Sequence, residues 1–221
     1  MTTLKGKLIV FEGTDGSGKS TQFKLACEAL TAAGRSFRTC VFPQYQEDSS
    51  ALVRMYLGGQ FGTHPSDVNA YAASSFYAVD RYAGYKKHWG GYYENGGLMV
   101  LDRYTTSNAV HQASKMAPED REPFFRWLAD FEYDKLGLPA PDLVLWLDMP
   151  IEQAVANLRR RETVTHTTAD IHEVDNAYLA ACREAAAQAA GFYGWHRIPC
   201  VDDEGRLRTV EDIHREIMSL I

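Results

Sequence analysis

Eight residues near the start of the chain, Gly13-Thr14-Asp15-Gly16-Ser17-Gly18-Lys19-Ser20, follow a short apolar run, Leu8-Ile9-Val10-Phe11, and precede residues with helical spacing. They fit the pattern GxxxxGK[ST], and a strand before it with a helix after it is the setting that gives the pattern its meaning. An unbroken apolar run suits a strand covered on both faces. Phe23, Ala26, Cys27, Leu30 and Ala33 then recur at helical spacing, and Gly34 ends the helix. Glycines let backbone N–H groups turn toward phosphate oxygens, and the helix N-terminus adds partial positive charge. In such a loop Lys19 reaches the β- and γ-phosphates of a nucleoside triphosphate, and Ser20 can ligate Mg2+. A glycine-rich turn matching by chance is the weaker reading. The segment from Gly13 through Thr21 is expected to bind the triphosphate.

The alternation continues to the end of the chain. "FRTCVF" (37–42) reads as a second strand ended by Pro43, and residues 66–89 are helical in composition. "LMVLD" (98–102), "LVLWLD" (143–148) and "HRIPCV" (196–201) read as three further strands. Pro150 suits a first helical position before a stripe of Ile151, Ala154, Val155 and Leu158, and residues 171–190 form another helical stretch. Thr209 and Asp212 make a capping box for a last helix carrying Val210, Ile213, Ile217 and Leu220. Strands separated by helices imply an α/β fold, a doubly wound five-stranded parallel sheet of the P-loop NTPase type with helices on both faces. Ligands in such sheets bind beyond the carboxyl ends of the strands. With no repeats or low-complexity linkers, residues 1–221 read as one domain.

Composition narrows the partners. A formal net charge of −6 argues against a broad nucleic-acid surface, which must neutralise many phosphates. No apolar run approaches the roughly 18 residues of a membrane span, and residues 1–7 lack the apolar stretch of a secretory signal. Cys27, Cys40, Cys182 and Cys200 are scattered, as reduced thiols of a cytoplasmic protein would be.

The chain contains no NKxD string, so a guanine-reading GTPase is disfavoured, and it is too short for a motor or a large ATPase. It carries instead two acid–arginine pairs, in "VDRY" (79–82) and "LDRYTTSNAVHQ" (101–112). Asp102, at the end of a strand beside the loop, can hold Mg2+ through water, and Arg103 can reach into the cleft. The weaker reading for each arginine is a structural ion pair. Two other functions stay open at this point. A kinase of a deoxynucleoside would need a carboxylate base for a hydroxyl, with Glu12 the one candidate directly beside the loop. A non-catalytic nucleotide-binding protein would need no such group.

"FEGTDGSGKST", "FYAVDR", "LDRYTTSNAVHQ" and "PDLVLWLDMP" stand in the order and spacing of the thymidylate kinase family, which the chain resembles over nearly its whole length. The resemblance implies phosphorylation of dTMP to dTDP by ATP with Mg2+, a five-stranded parallel sheet, and a homodimer. It implies Asp15, Lys19 and Arg103 as catalytic residues. Asp15 would be the loop carboxylate near the acceptor, and Arg103 the arginine bridging the acceptor phosphate and the transferring group. Tyr77 would stack on thymine and Arg81 hydrogen-bond the base edge, while Pro43, Ser107, His111 and Gln112 line the nucleoside side. Ser20 and Asp102 would serve the metal, and Arg161 would pack against ATP.

The sequence also departs from the family. Tyr45 stands where an arginine for the acceptor phosphate is common, and His111 where a tyrosine or phenylalanine is frequent. Gly16 replaces an arginine that some members carry, and the lid segment at about 162–170 has no arginine either. Charge at the transferring group must then come from Arg103 and the run Arg159-Arg160-Arg161. Continuing the stripe from Leu158 places Arg161 on the inward face and sends Arg160 toward solvent.

Overall fold

The structure, a computed structural model, describes residues 5–165 and 176–221; of Pro65, 161–165 and Asn176 only the backbone is described. In chain order the elements are β1 (Lys7–Glu12), α1 (Lys19–Ala32), β2 (Arg38–Val41), α2 (Ala51–Leu57), α3 (Ala70–Gly84), α4 (Gly90–Glu94), β3 (Leu98–Asp102) and α5 (Thr106–His111). They continue with α6 (Arg121–Ala129), β4 (Leu143–Asp148), α7 (Ile151–Thr165), α8 (Asn176–Tyr193), β5 (His196–Pro199) and α9 (Val210–Leu220). The five strands form one parallel sheet in the order β2-β3-β1-β4-β5. β1 therefore lies between strands that follow it from opposite sides, and the crevice at its carboxyl end is where such a sheet binds ligands. The register Phe11↔Asp102 sets the start of the glycine-rich loop beside Arg103.

The apolar run of β1 divides by alternation. Ile9 and Phe11 face a layer made with Ala26 and Leu30 of α1 and Ile213 and Ile217 of α9. Leu8 and Val10 face the opposite layer, with Phe42, Tyr85, Trp89, Tyr93 and Tyr104. Each layer excludes water from one face of the sheet, so no position in the run can be polar without a partner. Glu12 ends the strand, fully buried with both carboxylate oxygens hydrogen-bonded.

Boundaries moved where local chemistry differs from composition. The stretch expected to be helical from 66 starts its α-helix at Ala70, where the Asn69 Oδ1 accepts from the Ala72 N–H at 2.9 Å. It passes through a π-turn at Tyr85–Trp89 into α4. Pro150 flanks α7 rather than opening it, its carbonyl accepting from Ala154 N–H at 3.0 Å. β2 and β5 are shorter than the sequence suggests: β2 is a largely exposed edge, and β5 ends at Pro199, which has no N–H to donate. Of the expected helix at 171–190, residues 171–175 lie outside the described residues, and α8 continues to Tyr193. Of the capping box expected for α9, the N-cap half is present, with Thr209 Oγ1 accepting from Asp212 N–H at 3.1 Å, while the Asp212 carboxylate accepts from the Thr209 hydroxyl at 2.8 Å.

A buried ion pair fixes α3 to the turn after α6. Arg81 Nε donates to Glu132 Oε2 at 2.7 Å and Nη2 to Oε1 at 2.6 Å, both side chains being essentially inaccessible. Asn108 Nδ2 adds a bond to Glu132 Oε1 at 3.1 Å, and Arg81 Nη1 reaches the Tyr104 carbonyl at 3.3 Å. Removing one partner of such a pair strands the other charge and typically costs about 3–5 kcal/mol. Glu132→Ala is expected to lower unfolding free energy by about that amount in urea titrations. The double variant Arg81→Met/Glu132→Leu should recover much of the loss, and equal destabilisation by both would show that the charges are not what the fold needs there.

Candidate active site

The glycine-rich loop forms a cradle at the carboxyl end of β1. Gly16 (φ 80°) and Gly18 (φ 82°) take the left-handed conformation that the turn into α1 requires. Residues Thr14 through Thr21 line a cavity of about 420 Å3 that runs on between α7 and α9, past Leu158, Leu207 and Val210. Gly13 sits behind the cradle, where an added Cβ would lie 2.6 Å from Ser17 Oγ. Gly16 has no room for a side chain either. Its Cβ would meet the Ala154 carbonyl at 2.3 Å, and Asn157 Nδ2 donates to its carbonyl at 2.8 Å. The loop lacks an arginine here because α7 occupies the space.

Lys19 is buried and ion-paired with Asp102. Burial, and then the nearby Arg103 charge, hold its ammonium below the usual lysine range, with Asp102 opposing them. The Ser20 hydroxyl lines the cradle, and Asp102 lies behind Lys19, lining neither cavity. A hydroxyl and a carboxylate fit Mg2+, which takes one or two protein oxygens and completes its shell with waters and phosphate oxygens. Among the described residues no cluster of three or more acidic, histidine or cysteine side chains offers a metal cage.

Arg103 stands between this cradle and a second cavity. Its backbone has φ 66°, and its N–H donates to the Phe11 carbonyl at 3.1 Å. Nη2 donates to Asp15 Oδ1 at 2.7 Å, Nη1 reaches His111 Nε2 at 2.8 Å, and Glu12 Oε1 lies 3.5 Å away. Burial opposes the charge, but Asp15, Glu12 and Asp102 outweigh it and keep Arg103 cationic. Asp15 lines both cavities, so the pair marks their junction.

The second cavity, about 210 Å3, is walled by aromatic rings from several elements: Phe42, Tyr45, Tyr56, Tyr77, Tyr104 and Tyr178. Pro43, Arg81, Arg103, Ser107, His111 and Gln112 complete it with Leu57 and Asn108. The buried Gln112 Oε1 has no partner among the described residues, which leaves an acceptor available to a ligand N–H. Tyr56 meets Tyr77 edge-on at 6.4 Å and accepts at its hydroxyl from Lys115 Nζ at 2.7 Å.

All the acceptor-side residues expected from sequence thus share one cavity, and Thr14–Thr21 share the other. Arg81 reaches its cavity wall with its fork already held by Glu132. The side chain of Arg161 and residues 166–170 of the lid segment lie outside the described residues. Arg160 is exposed, as the helix phase expects, and it also lines the rim of the cradle cavity. The face of α7 toward the loop centres on Asn157, which bonds Gly16, and Arg160 lies about 60° from that direction. Sequence reasoning also missed Tyr56, Asn108 and Tyr178, which reach the site from α2, α5 and α8 through tertiary packing. For Asn108 a signal existed, one residue beyond Ser107.

Gly16→Ala should push α7 off the loop. Its Tm is expected to fall and its KM for ATP to rise severalfold, and an unchanged Tm would mean that the helix is not seated on Gly16. Lys115 supplies a pH test. Burial lowers its pKa from 10.5 to about 8. Between those values the unfolded chain binds a proton that the folded chain does not, so stability gains from rising pH there. The stability difference between Lys115→Met and the parent, followed by thermal melts, should shift in the parent's favour from pH 8 to pH 10.5. A difference independent of pH would remove the role of burial.

Comparison with known proteins adds the lineage. The sequence model of the family described as "Thymidylate kinase" matches residues 11–198. A thymidylate kinase of Mycobacterium tuberculosis is 35% identical over 155 residues, covering 70% of this chain and 71% of that protein. The thymidylate kinase of Homo sapiens is 31% identical over 158 residues, covering 70% and 66% respectively. A solved thymidylate kinase from Candida albicans superposes with a TM-score of 0.70 at 19% identity over 98% of this chain and 91% of that one, which speaks for the fold. With a glycine-rich cradle and an aromatic cavity meeting at one Asp15–Arg103 pair, and a family match over most of its length, the chain belongs to the thymidylate kinase family.

Proposed function

We propose that this chain transfers the γ-phosphoryl group of ATP to dTMP, giving ADP and dTDP. The observation that carries the reading is the junction: one cavity built for phosphates and one built for a flat polar ring meet at Asp15 and Arg103. In this reading a thymine ring lies among Phe42, Tyr77 and Tyr104, with Gln112 and Arg81 at its polar edge. The acceptor phosphate then reaches Arg103.

An oxygen of the dTMP phosphate attacks the γ-phosphorus in line as the bond to the β-phosphate oxygen breaks. That oxygen is already largely ionised at neutral pH, so no strong base is needed. Catalysis is then positioning plus stabilisation of charge on the transferring group. Loop N–H groups and Lys19 hold the β- and γ-phosphates, Arg103 bridges donor and acceptor, and Arg160 adds charge from α7 at the rim of the cradle, with Arg161 the residue that the family resemblance assigns to ATP. Ser20, and Asp102 through water, would hold Mg2+, which when bound would supply neutralisation of phosphate charge.

Glu12 weighs against a nucleoside acceptor. Its Oε1 accepts from Gly13 N–H at 2.9 Å, and its Oε2 from the Thr106 and Ser107 hydroxyls at 2.6 and 2.7 Å. A carboxylate so occupied is a poor base for a sugar hydroxyl. The four thiols are free, consistent with a cytoplasmic setting. The exposed Tyr71, Val79 and Tyr82 on one side of α3 favour a homodimer.

A coupled assay should find dTMP strongly preferred over CMP, AMP and thymidine. Lys19→Met should lose at least about 10²-fold in kcat/KM with its circular dichroism unchanged, a loss typical of removing one transition-state donor. Equal turnover of thymidine would make the protein a nucleoside kinase, and near-normal turnover by Lys19→Met would remove the phosphate role.

A further inference from the structure

The hydrogen bond between Arg103 and His111 has only one possible direction. A guanidinium carries donors and no acceptor, so His111 Nε2, 2.8 Å from Arg103 Nη1, must accept. An imidazole that accepts at Nε2 is neutral and carries its proton on Nδ1. Nδ1 lies 3.0 Å from the Tyr178 hydroxyl and 3.6 Å from Cys182 Sγ, groups of α8 that can take that proton's hydrogen bond. The ring is held near-parallel to Tyr178, at a centroid distance of 6.2 Å.

We infer that His111, as the neutral Nδ1–H tautomer, is a positioning residue that fixes the Arg103 guanidinium against Asp15 at the junction of the two cavities. The chemistry of the acceptor matters. Asp15 and Glu12 already set two carboxylates near Arg103. A further carboxylate in place of the imidazole would add negative charge facing an incoming phosphate. A neutral acceptor instead orients Nη1 while leaving the positive charge in place. It also compensates the departures at Gly16 and Tyr45, because a site with fewer arginines depends more on the orientation of the one it has.

Proton uptake by His111 would turn an N–H toward the guanidinium and release it. The charged and titratable groups around the imidazole act on this in both directions. Arg103 opposes the proton, as does Lys115 beyond Cys182. Asp15 and Glu12 favour it, and Tyr178, Cys182 and the more distant Tyr77 are neutral neighbours. The inference rests on the kinase reading only for its activity readouts.

Two variants and one spectrum test it. His111→Gln keeps an acceptor near the Nε2 position, and His111→Phe keeps a ring against Tyr178 without one. Loss of a hydrogen bond to a charged group predicts that His111→Phe loses about tenfold or more in kcat, while His111→Gln loses no more than a few-fold. The acid limb from the dTMP phosphate, with its second pKa near 6, is common to all forms. The ratio of His111→Gln to wild-type kcat should therefore rise as pH is lowered. A ratio that stays flat, or a His111→Phe variant that changes only the KM for dTMP, overturns the proposal. Nitrogen-15 imidazole shifts of the wild-type protein without substrate should identify the neutral Nδ1–H form near pH 7, and an Nε2–H tautomer or an imidazolium overturns it too. The spectrum stands even where His111→Phe fails to fold. It also separates this inference from the proposed function, which fails by itself if wild type does not phosphorylate dTMP.

Discussion

Arg103 is placed by a backbone conformation that a residue with a Cβ normally avoids, and the order of the sheet is what makes that placement possible. Because β3 pairs directly with β1 in the register Phe11↔Asp102, the chain leaving β3 meets the chain leaving β1 within hydrogen-bond reach. Arg103 N–H then donates to the Phe11 carbonyl while φ is 66°, and its side chain turns back over the loop to Asp15. Strain of this kind costs about 1–3 kcal/mol and persists only where surrounding contacts over-determine it. Here those contacts are a backbone bond, two carboxylates and an imidazole. Arg103 lines the second cavity and is bonded to Asp15, which lines both, so the geometry at their junction depends on a turn that the sheet imposes.

Three largely buried cations of the site stand against carboxylates before any substrate arrives. Lys19 has Asp102, Arg103 has Asp15 and Glu12, and Arg81 has Glu132. Buried charges left alone would shift their protonation or draw in water, so the pairing is what permits three cations so close to one another. The pairs differ in depth. Arg81–Glu132 is sealed, with Asn108 closing its remaining side, and acts as a fixed wall. Asp15, about one-third exposed, faces open cavity, so the Arg103 pair can be remodelled by an anion. Substrate phosphates then exchange for a carboxylate rather than meeting a bare charge, which keeps the cost of organising the site low.

The parts legible in the sequence were those written in local physics. The glycine-rich loop, the doubly apolar β1 and the Thr209 cap each depend on neighbours a few residues away, and all appear where their spacing puts them. Asp102 and Arg103 were legible because the end of a buried strand beside that loop has few other uses. Tyr178 was not, because it meets His111 across 67 positions and nothing local marks its role. Glu132 was hidden in the same way, 51 positions from Arg81. The contact between α7 and the loop was hidden for a definite reason. The stripe was referred to Leu158, which belongs to the core, whereas the loop is met by Asn157, one residue and about 100° away.

That rotation changes where the missing positive charge can come from. The Gly16 backbone is clamped by Asn157 and faces the Ala154 carbonyl, so the first part of α7 is seated on the phosphate loop itself. A helix that close leaves no space for a loop arginine, but it carries its own cations to the rim of the same cavity. Arg160 lies three residues beyond Asn157, and it lines the cradle. One contact therefore both excludes an arginine from the loop and delivers another from the helix. The departure at position 16 and the arginine run at 159–161 are two sides of one packing arrangement, with Asn157 as the hinge between them.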